Sequence, residues 1–298
     1  MQTYSCELAR SLNKLGHDLT VICCYSPGCE DFDADESYEI IRMKIIEIRW
    51  LRALSIYRFY KKYIKEKTID VVQCINWVPC GFAAVWATPK NIPVAVACHG
   101  SEITQWQRNP LRRFIRNRVL NNADVLTANT RYLSGLISNL GIKTNTQVTH
   151  FGISADFKYQ NSTLWYPGKF IILTVCDLKP RKGISLVIKA LSFIVKKIPN
   201  LLYVIIGSGP EKTNLVKLAE DTCVLENIQF KENICKEETA GWFNRCDIFV
   251  MVSEKQKDED VEGFGFVYLE AARAGKPVIA GRTGGVAEAV QNGINCCY

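Results

Sequence analysis

The sequence has few of the residues that build metal centres or disulfide frameworks. It contains three histidines, and its thirteen cysteines include no C-x-x-C pair and no spacing typical of zinc ligands. The odd number of cysteines, several of them inside apolar strand-like runs, favours reduced thiols that pack as small hydrophobic side chains. A zinc-stabilised fold and a disulfide-stabilised secreted fold are therefore both disfavoured.

Long hydrophobic runs are also absent. The run from Phe170 to Val175 is far shorter than the roughly 20 apolar residues of a membrane-spanning helix. The N-terminal residues lack the basic region and apolar core of a signal peptide. With 48% hydrophobic and 22% charged residues, the composition favours a soluble globular protein, and the reduced thiols favour the cytoplasm. The net charge of +7 suits nucleic acid, an anionic membrane or a phosphorylated ligand, and it does not choose among them.

Short β-branched runs alternate with amphipathic helical runs along nearly the whole chain. This pattern predicts an α/β fold of parallel sheets covered by helices. The predicted strands are 19–24, 39–44, 70–75, 93–98, 124–129 and 146–151, with further strands that start at 170, 202, 228, 247 and 277. The predicted helices are 49–66, 80–88, 110–121, 131–140, 184–198, 211–222, 236–245, 266–274 and 286–291.

Residues 153–169 interrupt the alternation, because they have no clear period and carry many polar residues with proline and glycine. We interpret this stretch as a linker between two Rossmann-like domains, residues 1–158 and 159–298. In such sheets ligands bind beyond the carboxyl ends of the strands. The residues that directly follow each strand are therefore the candidates for a binding site.

One such loop is basic and leads into a helix. In DLKPRKG (177–183), Arg181 and Lys182 come just before the helix, whose free N–H groups and dipole favour a phosphate or diphosphate. From this loop alone, an ordinary turn with solvated basic residues is an equal alternative. The turn GSGPE (207–211) follows the next strand, and we interpret it as shaping the backbone rather than as touching ligand.

A second loop, EGFGFVYLE (262–270), carries two carboxylates. We expect the helix to begin near Gly265, so that Glu262 lies in the loop and Glu270 about one turn inside the helix. Carboxylates accept hydrogen bonds from paired hydroxyls, which suits a ribose or a hexose. The alternative is a solvated Glu262 and a Glu270 that pairs on the helix surface. The glycine-rich run GRTGGVAE (281–288) follows the adjacent strand and strengthens the first interpretation.

The remaining polar candidates are weaker. His99 directly follows a predicted strand and should face a cleft, His17 is interpreted as a turn residue, and the role of His150 is open. Asp258 and Asp260 have the D-x-D spacing of a divalent-metal motif, but they stand several residues past the strand end among lysines. A solvated loop is the stronger interpretation of these two aspartates.

Taken together and in this order, the motifs resemble the retaining glycosyltransferases of family 4, over nearly the whole chain. That family has two facing Rossmann-like domains with a cleft between them, the GT-B fold. The matching stretches are HGSE at 99–102, PRKG at 180–183, GSGPE at 207–211, EGFGFVYLE at 262–270 and AGKPVIAGRTGGVAE at 274–288.

The resemblance implies a role for each matching residue. Glu262 is expected to contact the donor sugar near the reacting carbon, and His99 to lie near the transferred sugar. Glu270 is expected to hold the donor ribose, while Lys182 and Arg181 bind the diphosphate, so that no metal is needed. Backbone N–H groups would also reach the donor, from Gly263, Phe264, Gly265 and Phe266.

Two departures from the family pattern stand out. Many members have Gly-Arg after the strand that starts the second half, where this chain has Cys176 and Asp177. An arginine that would bind diphosphate is thus replaced by an acid. The family also opens with a strand and a glycine-rich turn and closes with further helices. We expect this chain to be truncated at both ends and, as written, to be inactive.

The expected function is transfer of a sugar from a nucleotide-diphosphate sugar to a glycan or lipid-linked acceptor, with retention, in surface polysaccharide or glycoconjugate biosynthesis. The alternatives are a sugar-nucleotide epimerase of the same fold and a non-catalytic sugar-nucleotide-binding relative. Nucleic acid is not an expected partner. Residues 106–120 hold five arginines and no acid, which raises the hypothesis of peripheral contact with an anionic membrane. An outer helix packed on the sheet is the alternative.

Overall fold

The computed structural model describes residues 2–44, 49–104, 109–152, 166–256, 261–291, 293 and 296–297. It divides into two units, Met1–Asn129 with Ser134–Phe151 and Thr130–Leu133 with Gly152–Tyr298. The predicted domain boundary at 158 lies outside the described residues, as do Asp258 and Asp260. Within the described part of the chain, no helix is long and apolar enough to cross a membrane.

The first half of the chain contains α-helices and short parallel strands in alternation. The helices are α1 (Gln2–Lys14), α2 (Glu30–Ala34), α3 (Arg49–Glu66), α4 (Phe82–Ala87), α5 (Ser101–Thr104), α6 (Pro110–Asn121) and α7 (Arg131–Asn139). The strands are β1 (Thr20–Cys24), β2 (Glu39–Met43), β3 (Val72–Cys74), β4 (Val94–Cys98), β5 (Val125–Ala128) and β6 (Thr146–Val148).

These six described strands form two separate sheets, where the strand pattern predicts one. β1 pairs with β2, and a four-stranded sheet has the order β3-β4-β5-β6. All of the pairings are parallel, as predicted. The difference arises because apolar periodicity specifies that a segment is a strand but does not specify its partner.

The second half repeats the alternation in one larger sheet. Its elements are β7 (Phe170–Val175), α8 (Ile184–Ile194), β8 (Leu201–Ile206), α9 (Lys212–Asp221), β9 (Ile228–Lys231), α10 (Lys236–Arg245), β10 (Ile248–Met251), α11 (Phe266–Arg273), β11 (Val278–Ala280), α12 (Val286–Ala289) and β12 (Cys296–Cys297). The sheet order is β12-β11-β10-β7-β8-β9. The chain crosses from β7 to β8 on one side and from β10 to β11 on the other, so a topological switch point lies between β7 and β10.

Local sequence signals explain several helix boundaries. α6 begins with Pro110, and the Asn109 side chain accepts the Arg112 N–H at 3.0 Å, a standard N-cap. α10 has Glu237 and Glu238 in its first turn and Arg245 in its last, which complements the helix dipole.

The predicted spans of α3, α6 and α10 agree with the structure. The predicted helix 80–88 is instead a π turn at Trp77–Gly81 followed by α4.

Helix α6 does not bury its apolar side chains as one face. Leu111, Phe114, Ile115 and Val119 have helical spacing on one side, but Val119 is fully buried while Leu111 and Phe114 are 59% and 61% exposed. Arg116 occupies the interior instead and is 0% exposed. Its guanidinium donates to the carbonyl of Ile103 at 2.8 Å, which satisfies a buried donor through backbone.

The core of the second unit lies between the sheet and its helices. Ile188 and Leu191 of α8 pack with Tyr203 and Ile205 of β8, and all four side chains are completely buried. The Tyr203 hydroxyl lies 2.8 Å from the Thr174 hydroxyl, so its polar end has a partner inside the core. This packing fixes β7 and α8, and with them the loop that joins them.

Candidate active site

The loop between β7 and α8 carries the predicted diphosphate-binding residues. Pro180–Lys182 form a single 3₁₀ turn, and α8 begins at Ile184, so Lys182 lies at a helix N-terminus as predicted. Gly183 has φ of 67°, and a Cβ there would lie 2.0 Å from the carbonyl oxygen of Val252. The glycine is therefore required both by its left-handed backbone and by its closeness to the end of β10.

The turn after β8 supports this loop from behind. Leu178 donates its N–H to the carbonyl of Ser208 at 2.9 Å, and its own carbonyl accepts the N–H of Glu211 at 3.1 Å. The GSGPE turn thus bonds the backbone of the basic loop. These bonds agree with its interpretation as a turn that shapes backbone.

Glu262 lies against the two basic residues at the switch point. Its Oε2 lies 2.6 Å from the Nη1 of Arg181 and 2.6 Å from the Nζ of Lys182. All three side chains are largely buried, at 12%, 13% and 8% exposure for Glu262, Arg181 and Lys182. The structure therefore joins the acidic loop after β10 to the basic loop after β7, which no spacing in the sequence specifies.

Asp177, the departure from the family pattern, belongs to the same cluster. Its carboxylate lies 2.6 Å from the Nζ of Lys179, 3.7 Å from that of Lys182 and 3.9 Å from the Nη2 of Arg181. Burial raises the pKa of Asp177, but the hydrogen bond from Lys179 and the charges of Lys182 and Arg181 outweigh it and the net pKa is lowered. Asp177 is thus an anion that competes for the cations expected to bind diphosphate.

The two glycine-rich loops of the second unit meet beside Glu262. Gly285 donates its N–H to the carbonyl of Glu262 at 3.0 Å. A Cβ on Gly285 would lie 1.9 Å from the carbonyl oxygen of Gly263, so only glycine allows this approach. The GRTGGVAE and EGFG stretches are therefore neighbours, as predicted for loops that follow adjacent strands.

Helix α11 places Glu270 as predicted. The helix begins at Phe266, and Gly265, with φ of 84°, occupies the N-cap position. Glu262 therefore lies in the loop and Glu270 inside the helix. Tyr268 anchors α11 to the sheet, because its hydroxyl donates to the carbonyl of Met251 in β10 at 2.7 Å.

Glu270 is an unusual carboxyl group. Burial raises its pKa to about 7, against the opposing effect of the Lys236 charge. Lys236 starts α10, and nothing in its sequence context connects it with Glu270. A half-buried carboxyl group with a pKa near neutrality, next to a glycine-rich helix N-terminus, is the kind of group that occurs at functional sites.

His99 belongs to the first unit, directly after β4. Its Nε2 lies 2.7 Å from the carbonyl oxygen of Ile75, and since a carbonyl only accepts, Nε2 carries the proton. Burial lowers the pKa of His99, although the Glu102 charge and the Ile75 carbonyl oppose the shift. The neutral ring then has its lone pair on Nδ1, which is suited to accept a hydrogen bond from a sugar hydroxyl.

Neighbouring side chains fix the orientation of His99. The Tyr4 ring of α1 packs edge-on against the imidazole at 5.0 Å between centroids, and Phe151 lies 5.6 Å away. The Glu102 carboxylate accepts the His99 backbone N–H. Sequence reasoning missed Tyr4 and Phe151, because aromatic residues distant in sequence carry no signal of a shared contact.

The other two histidines have structural contacts. His17 donates its backbone N–H within the turn after α1, and a ring nitrogen of His150 lies within hydrogen-bonding distance of the Asn129 carbonyl.

Sequence models of known families match both halves of the chain. The family described as Glycosyltransferase Family 4 matches residues 1–157, and that described as Glycosyl transferases group 1 matches residues 155–297. The chain belongs to glycosyltransferase family 4. The predicted family membership is therefore confirmed over nearly the whole chain.

Individual family 4 relatives extend over almost all of the sequence. The GDP-mannose-dependent alpha-(1-6)-phosphatidylinositol monomannoside mannosyltransferase of Mycolicibacterium smegmatis is 29% identical over 98% of this chain and 78% of its own length. The protein of the same description from Mycobacterium tuberculosis (strain CDC 1551 / Oshkosh) is 32% identical, over 98% of this chain and 79% of its own. These relatives are transferases, which favours the predicted transferase over the epimerase and the non-catalytic binding protein.

The fold has solved counterparts. Sucrose-phosphate synthase from Thermosynechococcus elongatus has a TM-score of 0.80 and 18% identity, over 99% of this chain and 79% of that chain. This likeness confirms the predicted GT-B fold. The predicted activity, sugar transfer from a nucleotide-sugar donor, is likewise confirmed by the family, and retention is consistent with it. The roles of individual residues stay predictions.

Proposed function

We propose that this family 4 enzyme transfers mannose from GDP-mannose to a lipid-linked or glycan acceptor. The observation that carries the proposal is the cluster at the switch point of the second unit. Arg181 and Lys182, both largely buried, each lie 2.6 Å from the carboxylate of Glu262. The N-terminus of α8 and the carboxyl group of Glu270 belong to the same set of loops and helices. The cations suit a diphosphate, and the carboxyl groups suit the hydroxyls of a ribose and a sugar. GDP-mannose is the donor named for the mycobacterial relatives.

Each residue of the cluster has a proposed role in this reaction. Arg181 and Lys182 leave Glu262 when the donor binds and contact the diphosphate, together with the N-terminus of α8. As the bond from the anomeric carbon to the diphosphate oxygen breaks, negative charge grows on the leaving group, and these fixed cations stabilise it. An acceptor hydroxyl oxygen forms the new bond to the anomeric carbon and loses its proton. No metal is needed, because the two cations supply the compensating charge.

The carboxylates and the histidine are proposed to bind hydroxyls. Glu262, once released by the cations, accepts hydrogen bonds from the donor sugar, and Glu270 accepts them from the ribose. Backbone N–H groups of 263–266 contribute to the same donor. His99 offers Nδ1 to the transferred sugar, with its ring held by Ile75 and Tyr4.

We also propose that the enzyme acts at the inner face of a membrane, in the cytoplasm. The relatives named above act on a phosphatidylinositol mannoside, and a lipid-borne acceptor lies in the bilayer surface. The described part of the predicted contact segment, residues 109–120, supports this with Leu111, Arg113, Phe114 and Arg118, all exposed.

A thermal-shift screen against GDP-mannose, UDP-glucose, ADP-glucose and CMP-sialic acid tests the donor. A ligand at about 100 times its dissociation constant stabilises by about 2.7 kcal/mol, which is readily measured. We expect GDP-mannose to give the largest shift, and Lys182→Ala to remove it. Lys189→Ala, an exposed lysine on α8, is the matched control and should keep the shift. A larger shift with another nucleotide sugar, or an equal response of the two variants, would contradict the proposal.

A further inference from the structure

One face of the first unit exposes several large apolar side chains that lie beside one another. Helices α3, α4 and α6 form a groove of about 340 Å³ there. Its apolar lining consists of Leu54, Tyr57, Phe82, Trp86, Phe114 and Ile115. Three of these side chains are strongly exposed, at 41% for Leu54, 45% for Trp86 and 61% for Phe114. The size falls within the range of small-molecule binding sites, and the lining is that of a site for an apolar chain.

A second, polar groove adjoins the first. It measures about 410 Å³ and is lined by Pro110, Arg113, Phe114, Asn117, Arg118 and Asn121. Phe114 and Arg118 line both grooves, so the apolar one continues into the basic one without a break. The Arg118 guanidinium lies 5.8 Å from the centre of the Phe114 ring, which holds the charge at the junction.

Two of the helices that flank the grooves, α3 and α6, are strongly basic. Helix α3 contains six basic residues and a single acid, Glu66, while α6 contains four basic residues and none. Among the described residues, neither Arg113 nor Arg118 has a carboxylate partner within ion-pair distance. Unpaired cations beside an apolar groove complement an amphiphile with an anionic head and a hydrocarbon tail.

We infer that the joined grooves bind one anionic membrane lipid, with its phosphate between Arg113 and Arg118 and an acyl chain along Phe114 and Trp86. This inference rests on the proposed membrane contact and makes it specific, because it assigns a discrete lipid site rather than a diffuse attraction. A protein partner would also cover apolar surface. The excess of unpaired arginine over acid favours the lipid, since an anionic bilayer supplies phosphate and hydrocarbon at one place.

The site predicts how affinity depends on the tail. Alkyl phosphates of increasing chain length, measured by calorimetry, should bind about fourfold tighter for each added methylene until the groove is filled. Inorganic phosphate should bind far more weakly than any of them. Equal affinity for inorganic phosphate and the longest alkyl phosphate would overturn the inference, since it would leave a basic patch without a tail site.

Variants separate the two halves of the site in cosedimentation with vesicles. On vesicles of equal parts phosphatidylcholine and phosphatidylglycerol, Phe114→Ser should weaken binding about tenfold, because it removes an exposed aromatic side chain that the bound lipid would cover. Arg118→Gln should weaken it about fivefold. The matched controls are Phe193→Ser, which removes an aromatic side chain exposed to 73% on α8, and Lys196→Gln. Both should bind as the unaltered protein does.

The possible outcomes bear on the inference in different ways. Weaker binding by Phe114→Ser and Arg118→Gln, with neither control affected, supports it. Unchanged binding by Phe114→Ser, no binding to anionic vesicles, or equal binding to pure phosphatidylcholine overturns it. Self-association that disappears in Phe114→Ser without vesicle binding would assign the face to a second copy of the chain. The shift with GDP-mannose, measured on the same variants, should not change, so failure of the lipid site is distinguishable from failure of the proposed donor site.

Discussion

Donor binding should depend on pH through Glu270, and the size of the effect follows from the structure. Burial raises the pKa of Glu270 to about 7 in the protein alone, so about half of the molecules carry a protonated Glu270 near neutrality. The proposed ribose contact needs the carboxylate, since only the ionised group accepts from both hydroxyls. Two such hydrogen bonds favour the charged form, so that donor binding should lower the pKa and release a proton.

The sign and magnitude can be worked out from that shift. Because the free enzyme binds more protons than the complex, affinity rises as pH increases through the pKa of the free enzyme. If the pKa of the complex is near 4.5, the ordinary value for glutamate, the Kd at about pH 6 should exceed that at about pH 8 by about tenfold. Above about pH 8 the profile should be flat, since Glu270 is then ionised in both states.

Isothermal titration calorimetry with GDP-mannose tests this directly. Titrations near pH 6.5 in PIPES and in imidazole buffer, which differ in ionisation enthalpy, should give different observed heats, and the difference counts the released protons. Glu270→Gln should bind more weakly and without proton release, while Glu226→Gln, an exposed glutamate, should behave as the unaltered protein. A flat pH profile in the unaltered protein, or the same slope in Glu270→Gln, would refute the proposed role of Glu270.

Three further predictions concern the switch-point loops. Glu262→Gln should abolish transfer yet leave donor binding largely intact; in kinetic and binding assays, unchanged kcat would remove Glu262 from the catalytic residues. Asp177→Asn removes a partly exposed carboxylate that lies 3.7 Å from the Nζ of Lys182, so the KM for the donor should fall by about fivefold. An unchanged or higher KM would mean that Asp177 does not compete with the diphosphate for Lys182. Gly183→Ala should lower the free energy of unfolding by about 2 kcal/mol or more. The control Gly168→Ala, at φ of 69° with no neighbour within 4 Å of the added Cβ, should lower it by less. Equal losses of stability in thermal denaturation would contradict the close approach of Gly183 to Val252.

The sequence predicts element type and loop position well, because both depend on local patterns. The span of α11 and the placement of Glu262 and Glu270 follow from one glycine-rich motif before an amphipathic run. The N-terminal position of Lys182 follows from the same kind of signal. Such features need only neighbours in the chain, and the structure agrees with them.

Contacts between distant segments escape that reasoning. Nothing near residue 181 indicates a partner at 262, and the raised pKa of Glu270 depends on burial that composition does not report. Helix α6 shows the same limit in its packing, since helical spacing groups Phe114 with Val119, while the structure buries Val119 and Arg116 and leaves Phe114 exposed. A buried guanidinium is tolerated there because a backbone carbonyl of α5 accepts from it, and that carbonyl has no signature in the sequence.

The ion pairs around Lys182 have a consequence for selectivity. Three cations and two carboxylates give this cluster a formal charge of only +1, whereas the cations without the carboxylates would bind many different phosphate compounds. At the proposed diphosphate site, a ligand would have to displace Glu262 from both cations before its own phosphates could contact them. Free diphosphate offers nothing to the displaced carboxylate, whereas a sugar nucleotide carries hydroxyls that satisfy it. If the proposed donor site is right, a nucleoside diphosphate without the transferred sugar should bind more weakly than the sugar nucleotide, because it leaves the displaced Glu262 without a hydroxyl partner.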